Sequence, residues 1–332
     1  MKKALGVIAL LLVIGAAILW FVPSGEYILL PDKARPVAPL ITVAGKHRRD
    51  RDSGAFYFLA VIVRKATLLE RLFPSIRTGA TLVPESAIKP PGVSDKAQHR
   101  IEEREMVRSQ DVAAALAERA AGYKVRIRLD GARISAVIPG MPAAKALRGT
   151  EVIVAVDGKT VRTPDDLRRL IRARKPGDRV RLTVRSPRGL RTLELRTVPD
   201  SEDRKRPVVG VIVDQAGSVR LPVRVNINPG AVVGPSAGLP FALEIMEKLG
   251  RNVDRGYRIA ATGELELDGT VAPIGGVEQK ATEAKQSHVD ILLVPAGENA
   301  AVARRHAGPV RVIPVHSLQQ ALHKLATLPP KA

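Results

Sequence analysis

The chain has 332 residues, a formal charge of +20 at pH 7, 45% hydrophobic and 3% aromatic residues, and no cysteine. Its length allows two or three domains with cores of their own, and the missing cysteines exclude disulfides, thiol chemistry and cysteine-ligated zinc. The six histidines include no pair at metal-ligand spacing, so no metal is expected, nor any other cofactor. Despite the charge, nucleic acid is not an expected partner, because stacking aromatics are scarce and no binding module is recognisable. Arginine is spread along the whole chain. That fits either attraction to anionic lipid headgroups and an acidic cell envelope or an arginine-rich composition alone.

Residues 1–26 read as a membrane anchor. Lys2 and Lys3 precede residues 4–22, nineteen uncharged and almost wholly apolar positions, enough for a helix across a bilayer core of about 30 Å. Trp20-Phe21-Val22-Pro23 is a poor cleavage site, which favours an uncleaved anchor over a signal peptide. Long domains translocate largely regardless of charge. The expectation is therefore a single-pass protein of the cell membrane with its catalytic part extracytoplasmic, although Lys33 and Arg35 follow the span closely.

Residues 27–122 form a mixed region: a strand-like stretch over 55–63, a proline-broken stretch over 84–91, and a long helix starting near Ser94 that carries Met106-Val107-Arg108-Ser109-Gln110. Residues 123–197 have a logic of their own, with strands over 124–129, 134–138 and 152–156 and a turn at Asp157-Gly158. A helix then starts with Thr163 as cap, Pro164 at its first position and Asp165 and Asp166 in its first turn, and Lys175-Pro176-Gly177 ends it. Strands over 179–185 and 190–198 close the unit. The arrangement resembles a PDZ domain of the kind attached to bacterial proteases. The resemblance implies binding of an extended peptide by strand addition beside the helix. Gly149-Thr150-Glu151 departs from the family's usual Gly-Asp, and no carboxylate-binding loop is evident, so no peptide-binding residue is named; a β-rich domain without a ligand is the alternative. Residues 198–206, with the charged run from Asp200 to Arg206, read as a linker.

Residues 207–328 hold the chemistry. Ser236 stands in Gly234-Pro235-Ser236-Ala237-Gly238, before a helix over 237–249 whose free first-turn N–H groups and dipole suit an oxyanion. Pro240 falls in that helix, where its missing N–H is expected to leave the Ser236 carbonyl without its usual partner and to kink or shorten the helix. Residues 264–267 and 270–272 flank Asp268-Gly269 as a β-hairpin. Beyond Gly275-Gly276, Val277, Lys280, Ala281 and Ala284 recur at helical spacing, while Glu278, Gln279, Glu283 and Lys285 take the other face. Lys280 thus interrupts an apolar stripe, and burial lowers a lysine toward neutrality, where it can act as a base. A buried strand over 289–295 and a closing helix over 317–325, capped by Ser317, complete an α/β unit.

GPSAG at 234–238, TGELELDGTVAPIGG at 262–276 and Lys280 four residues past Gly276 resemble the proteolytic domain of Lon-type serine proteases. The resemblance implies Ser236 as nucleophile, Lys280 as general base, Thr262 as the hydroxyl that orients the lysine, and Gly234, Pro235, Ala237 and Gly238 as the loop around the oxyanion. Tyr27, Pro31 and the segment 106–110 similarly resemble the region before the PDZ domain in membrane-anchored bacterial proteases of this type. Protein or peptide substrates follow, and hexameric rings are common in the family. Without a G-x-x-x-x-G-K-[ST] phosphate loop, cleavage of unfolded or membrane-associated proteins is expected to need no ATP from this chain. Two competing readings remain. Gly234-x-Ser236-x-Gly238 also fits an α/β-hydrolase elbow, which would need Asp290 with His306, His316 or His323; and the chain could be a catalytically silent PDZ-type adaptor.

Overall fold

The computed structural model describes residues 14, 15, 17–45, 54–90, 92–201 and 203–331. Among these residues no helix is long and apolar enough to cross a membrane. This corrects the expected transmembrane helix, and with it the single-pass membrane link and the cell-membrane localisation. Residues 4–13 and 16 of the expected span lie outside the described residues; its described part is helical only over 14, 15 and 17–21, about two turns, before the chain turns into a strand.

That strand, Pro23–Pro31, lies between Val61–Thr67 and Thr81–Pro84 in an antiparallel sheet of three. Val61–Thr67 is followed by α1 (Leu68–Leu72), which Thr67 and Glu70 start with a reciprocal capping box. The long helix α2 (Asp95–Ala120) begins where the Ser94 hydroxyl accepts from the Ala97 amide. Its second half is rich in alanine and buried through Val112–Glu118.

The chain then enters a five-strand antiparallel path in the order Gly189–Arg196, Arg179–Ser186, Val152–Val156, Arg126–Val137, Val211–Arg220. Where two strands were expected over 124–138 there is one, Arg126–Val137. It bends at Gly131, whose φ of +124° only glycine adopts readily, so the chain continues through the predicted break. Helix α3 (Pro164–Arg172) has the expected start, with a capping box between Thr163 and Asp166, and packs Leu167 and Ile171 into a core with Ile134, Ile153, Val180 and Leu182.

The remaining helices are α4 (Gly238–Lys248), α5 (Val277–Gln286), α6 (Glu298–His306) and α7 (Leu318–Ala326). They sandwich a sheet in the order Arg35–Pro36, Ala55–Phe58, Arg258–Ala261, Ile291–Pro295, Arg311–Val315, parallel through its last four strands. The period of two in a strand divides these strands between two cores. Phe56, Phe58, Ile259, Ala261, Ile291 and Leu293 face α2, α4 and α7, while Tyr57, Ala260, Leu292 and Val294 face α5 and α6. Val37, Ile41, Val43, Phe56, Phe58 and α2 therefore share one core with residues 237–328. The paired strands Arg126–Val137 and Val211–Arg220 leave that core and return to it: Ile127, Leu129 and Val219 pack on it, while Ile134, Val211 and Val213 belong to the core beneath α3.

Candidate active site

The segment Pro235–Ala237 is a single 3-10 turn leading into α4. Because α4 starts at Gly238, Pro240 falls in the first turn, where an N–H has no acceptor within the helix in any case, and the helix runs on without interruption to Lys248. The Ser236 carbonyl is not orphaned either: it accepts from the Gly263 amide at 2.9 Å and, more weakly, from the Thr262 hydroxyl at 3.4 Å. The loop is held from the other side by α2. There the Ser109 hydroxyl donates to the Pro235 carbonyl at 2.9 Å, and the Gly234 amide donates to the Glu102 carbonyl at 3.0 Å.

Thr262 follows Arg258–Ala261 at the carboxyl end of a central strand, its amide bonded to the Leu293 carbonyl at 3.0 Å. Lys280 comes from the first turn of α5, which the left-handed Gly276 starts. A Cβ at Gly276 would meet the Val61 side chain at 2.8 Å, so glycine there lets the helix approach the strand Val61–Thr67. The three side chains converge. Lys280 Nζ lies 2.7 Å from Ser236 Oγ and 3.0 Å from Thr262 Oγ1. Lys280 is buried, with 4% of its surface exposed, while Ser236 is half-buried at the floor of a cavity. Burial holds the Lys280 ammonium well below the usual lysine range, at about 8, against the opposing pull of Glu283 one turn along α5. The first-turn amides of Ser236 and Ala237 have no acceptor within their helix, and Gly238 begins α4 beside them.

Lys280, Ala281, Val277 and Ala284 are buried as the periodicity implies, but Gln279 and Glu283 are buried too. Their side of α5 is covered by the three-stranded sheet: Gln279 Nε2 donates to Thr81 Oγ1 at 2.8 Å and to the Gly79 carbonyl at 3.2 Å. Burial, with the charge of Asp32, pushes the Glu283 carboxyl up to about 8. Residues about 200 positions away in sequence cannot be seen from helical spacing. Glu102 was equally hidden, and for Ser109 the one sign was its place in the segment 106–110, whose resemblance to the region before the PDZ domain gives it no role. Further along the cavity wall, Glu105 and Glu264 are both raised to about 7, by burial first and then by neighbouring carboxylates.

The residues an α/β-hydrolase triad would need are elsewhere. Asp290 accepts from the Arg258 amide at 2.8 Å and from Lys331 Nζ at 2.6 Å, His306 faces Glu278 at 3.8 Å, and neither they nor His316 and His323 line the cavities at Ser236. Among the described residues no group of three or more His, Cys, Asp or Glu could hold a metal ion.

Residues 212–326 match the family model of the Lon protease (S16) C-terminal proteolytic domain, and residues 133–186 that of the PDZ domain. The chain carries a Lon-type proteolytic domain and a PDZ domain. The chain is 34% identical over 109 residues to Lon protease 2 of Bacillus subtilis, covering 32% of this chain and 19% of that protein. It is 40% identical over 83 residues to Lon protease 1 of Sorangium cellulosum, covering 24% of this chain and 10% of that protein. The chain thus spans a fifth or less of the length of these relatives. Among solved structures, the PDZ domain of an SdrC-like protein of Listeria monocytogenes is 21% identical and covers 25% of this chain and 87% of that one, with a TM-score of 0.24, too slight a likeness to argue from.

Proposed function

We propose that the chain is a serine endopeptidase in which Ser236 and Lys280 form the catalytic dyad, acting without ATP on unfolded or partly unfolded polypeptide. The observation that carries this reading is the 2.7 Å approach of a buried lysine nitrogen to a hydroxyl at the floor of an open cavity. Neutral Lys280 accepts the Ser236 proton as Oγ attacks the substrate carbonyl; the same short contact serves with the proton on either atom. The oxyanion forms beside the Gly234–Gly238 loop, facing the amides of Ser236 and Ala237. Protonated Lys280 then gives its proton to the leaving amine, and water hydrolyses the acyl-enzyme with Lys280 again as base. Thr262 Oγ1 fixes the lysine nitrogen against the serine throughout. The 332 residues hold no G-x-x-x-x-G-K-[ST] phosphate loop, so the proposed chemistry at Ser236 draws on no nucleotide site of these residues.

The test is degradation of a permanently unfolded protein by the full chain without nucleotide, with Ser236→Ala alongside. The expected outcome is fragments from the first and none from the second, at equal far-UV circular dichroism. Equal cleavage by both removes Ser236 from the chemistry, and silence of the folded wild type turns the reading toward a peptide-holding adaptor.

A further inference from the structure

Ser236 lies between two cavities of unlike chemistry. One, of about 860 Å³, has Glu102 and Glu105 from consecutive turns of α2 and Glu264 from its strand on one wall. The other, of about 410 Å³, is faced by Leu29, Leu59, Ala60, Met106 and Val232, and the charges of Asp32 and Arg35 there satisfy each other at 2.7 Å. Both cavities run along Val61–Val63. Those residues start the strand Val61–Thr67, which pairs with Pro23–Pro31 on one side only and is an edge among the described residues. Ile62 and Val63 stand half-exposed on it. An unpaired strand edge passing the candidate nucleophile suits an extended polypeptide, which can add to it through main-chain hydrogen bonds.

The acidic wall is the more telling feature because the chain as a whole carries +20. The cations near these glutamates are engaged: Arg108 lies 3.6 Å from Glu264 and also pairs with Glu266, Lys89 in the same cavity is held by Asp95 and by Glu85 at 2.8 Å, and Lys280 donates to Ser236 and Thr262. Gln98 Nε2 donates to Glu102 at 2.9 Å. Among the described residues Glu105 has no ion-pair partner, so a carboxyl group without a cation of its own lines the cavity that Ser236 also lines. A partly buried carboxylate without a cation is satisfied by one that the ligand brings.

We propose that this site selects extended segments that set a lysine or arginine against Glu105 and Glu264 on one side of the scissile bond and an apolar side chain against Leu29, Leu59 and Met106 on the other. The inference rests on the proposed peptidase reading for the placement of substrate at Ser236, and it names the substrate class: unfolded polypeptide with a basic residue next to an apolar one across the cut. An acidic segment is disfavoured by the same wall, since a like charge brought beside these carboxyl groups is repelled.

The experiment measures binding without turnover. The full chain carrying Ser236→Ala is titrated with decapeptides that differ only in carrying lysine, norleucine or glutamate at a position scanned across the sequence, followed by fluorescence anisotropy. At one position lysine binds about tenfold more tightly than norleucine, the size of a charge-assisted hydrogen bond. That advantage disappears when Glu105→Gln and Glu264→Gln are added, substitutions that keep shape and remove charge. Equal affinities for the three peptides overturn the proposal, as does a lysine advantage that survives both glutamines. Because nothing is cleaved, these outcomes are independent of whether the wild type is a peptidase; cleavage by the wild type with no basic preference would sink this inference alone.

Discussion

Lys280→Met lowers kcat/KM for an unfolded protein substrate by about a thousandfold or more, the scale on which losing the base of a nucleophile–base pair is felt, and leaves the fold intact. Methionine keeps the unbranched stem and close to the volume of lysine, and it removes a charge that burial already disfavours. Thermal stability should therefore stay level or rise while activity is lost, a combination that separates a chemical role from a packing one. Lys280→Arg should be as inactive, because a guanidinium stays protonated at any working pH and cannot accept the Ser236 proton. Activity within tenfold of wild type in either variant would show that another group takes the proton.

Phe241→Ala should destabilise the protein by about 3–5 kcal/mol, the usual cost of emptying an aromatic site in a core, read as a shift in the urea midpoint at unchanged slope. Phe241 is fully buried in α4, its ring centroid 6.5 Å from that of Phe58 and inclined at 54°. Phe58 ends the strand Ala55–Phe58, which pairs in parallel with Arg258–Ala261. A double-mutant cycle on Phe58 and Phe241 should show a coupling of about 0.5–1.5 kcal/mol, typical of a tilted aromatic pair. The coupling tests whether residues 55–58 and α4 belong to one core. Strictly additive losses would place the two rings in units that unfold apart.

Local chemistry was legible in the sequence because it is written in short range. The Thr163 and Ser317 caps, the turn at Asp268-Gly269 and the apolar stripe interrupted by Lys280 all follow from spacing within a few residues, and each has its counterpart in the structure. Spacing points to Lys280 and the helix start to Ser236, whereas Thr262 comes only from the resemblance to Lon-type proteases, and none of these carries distances. Those depend on pairings such as Ala55–Phe58 with Arg258–Ala261, about 200 residues apart, and on α2 bracing the loop through Ser109. The same long range explains why Gln279 and Glu283 looked solvent-facing: the sheet that covers them comes from residues 23–84. Pro240 was read as a defect because the helix was started one residue early, at Ala237. Apolar composition over residues 4–22 is compatible with a membrane span, yet the described chain is a short helix that ends at the strand Pro23–Pro31.

Lys280 acting as the base of Ser236 gives kcat/KM a definite pH dependence. Only the unprotonated amine can take the serine proton, so with Lys280 held at about 8 the neutral fraction grows as pH rises through that value. Measuring in a Glu105→Gln, Glu264→Gln background takes those two carboxyls, raised to about 7, out of the profile. kcat/KM is expected to rise about tenfold from pH 7 to a plateau above pH 9, and Glu283→Gln to move the limb to lower pH because the carboxylate beside Lys280 favours its charged form. A profile already flat at pH 7, or one that Glu283→Gln moves to higher pH, would contradict it.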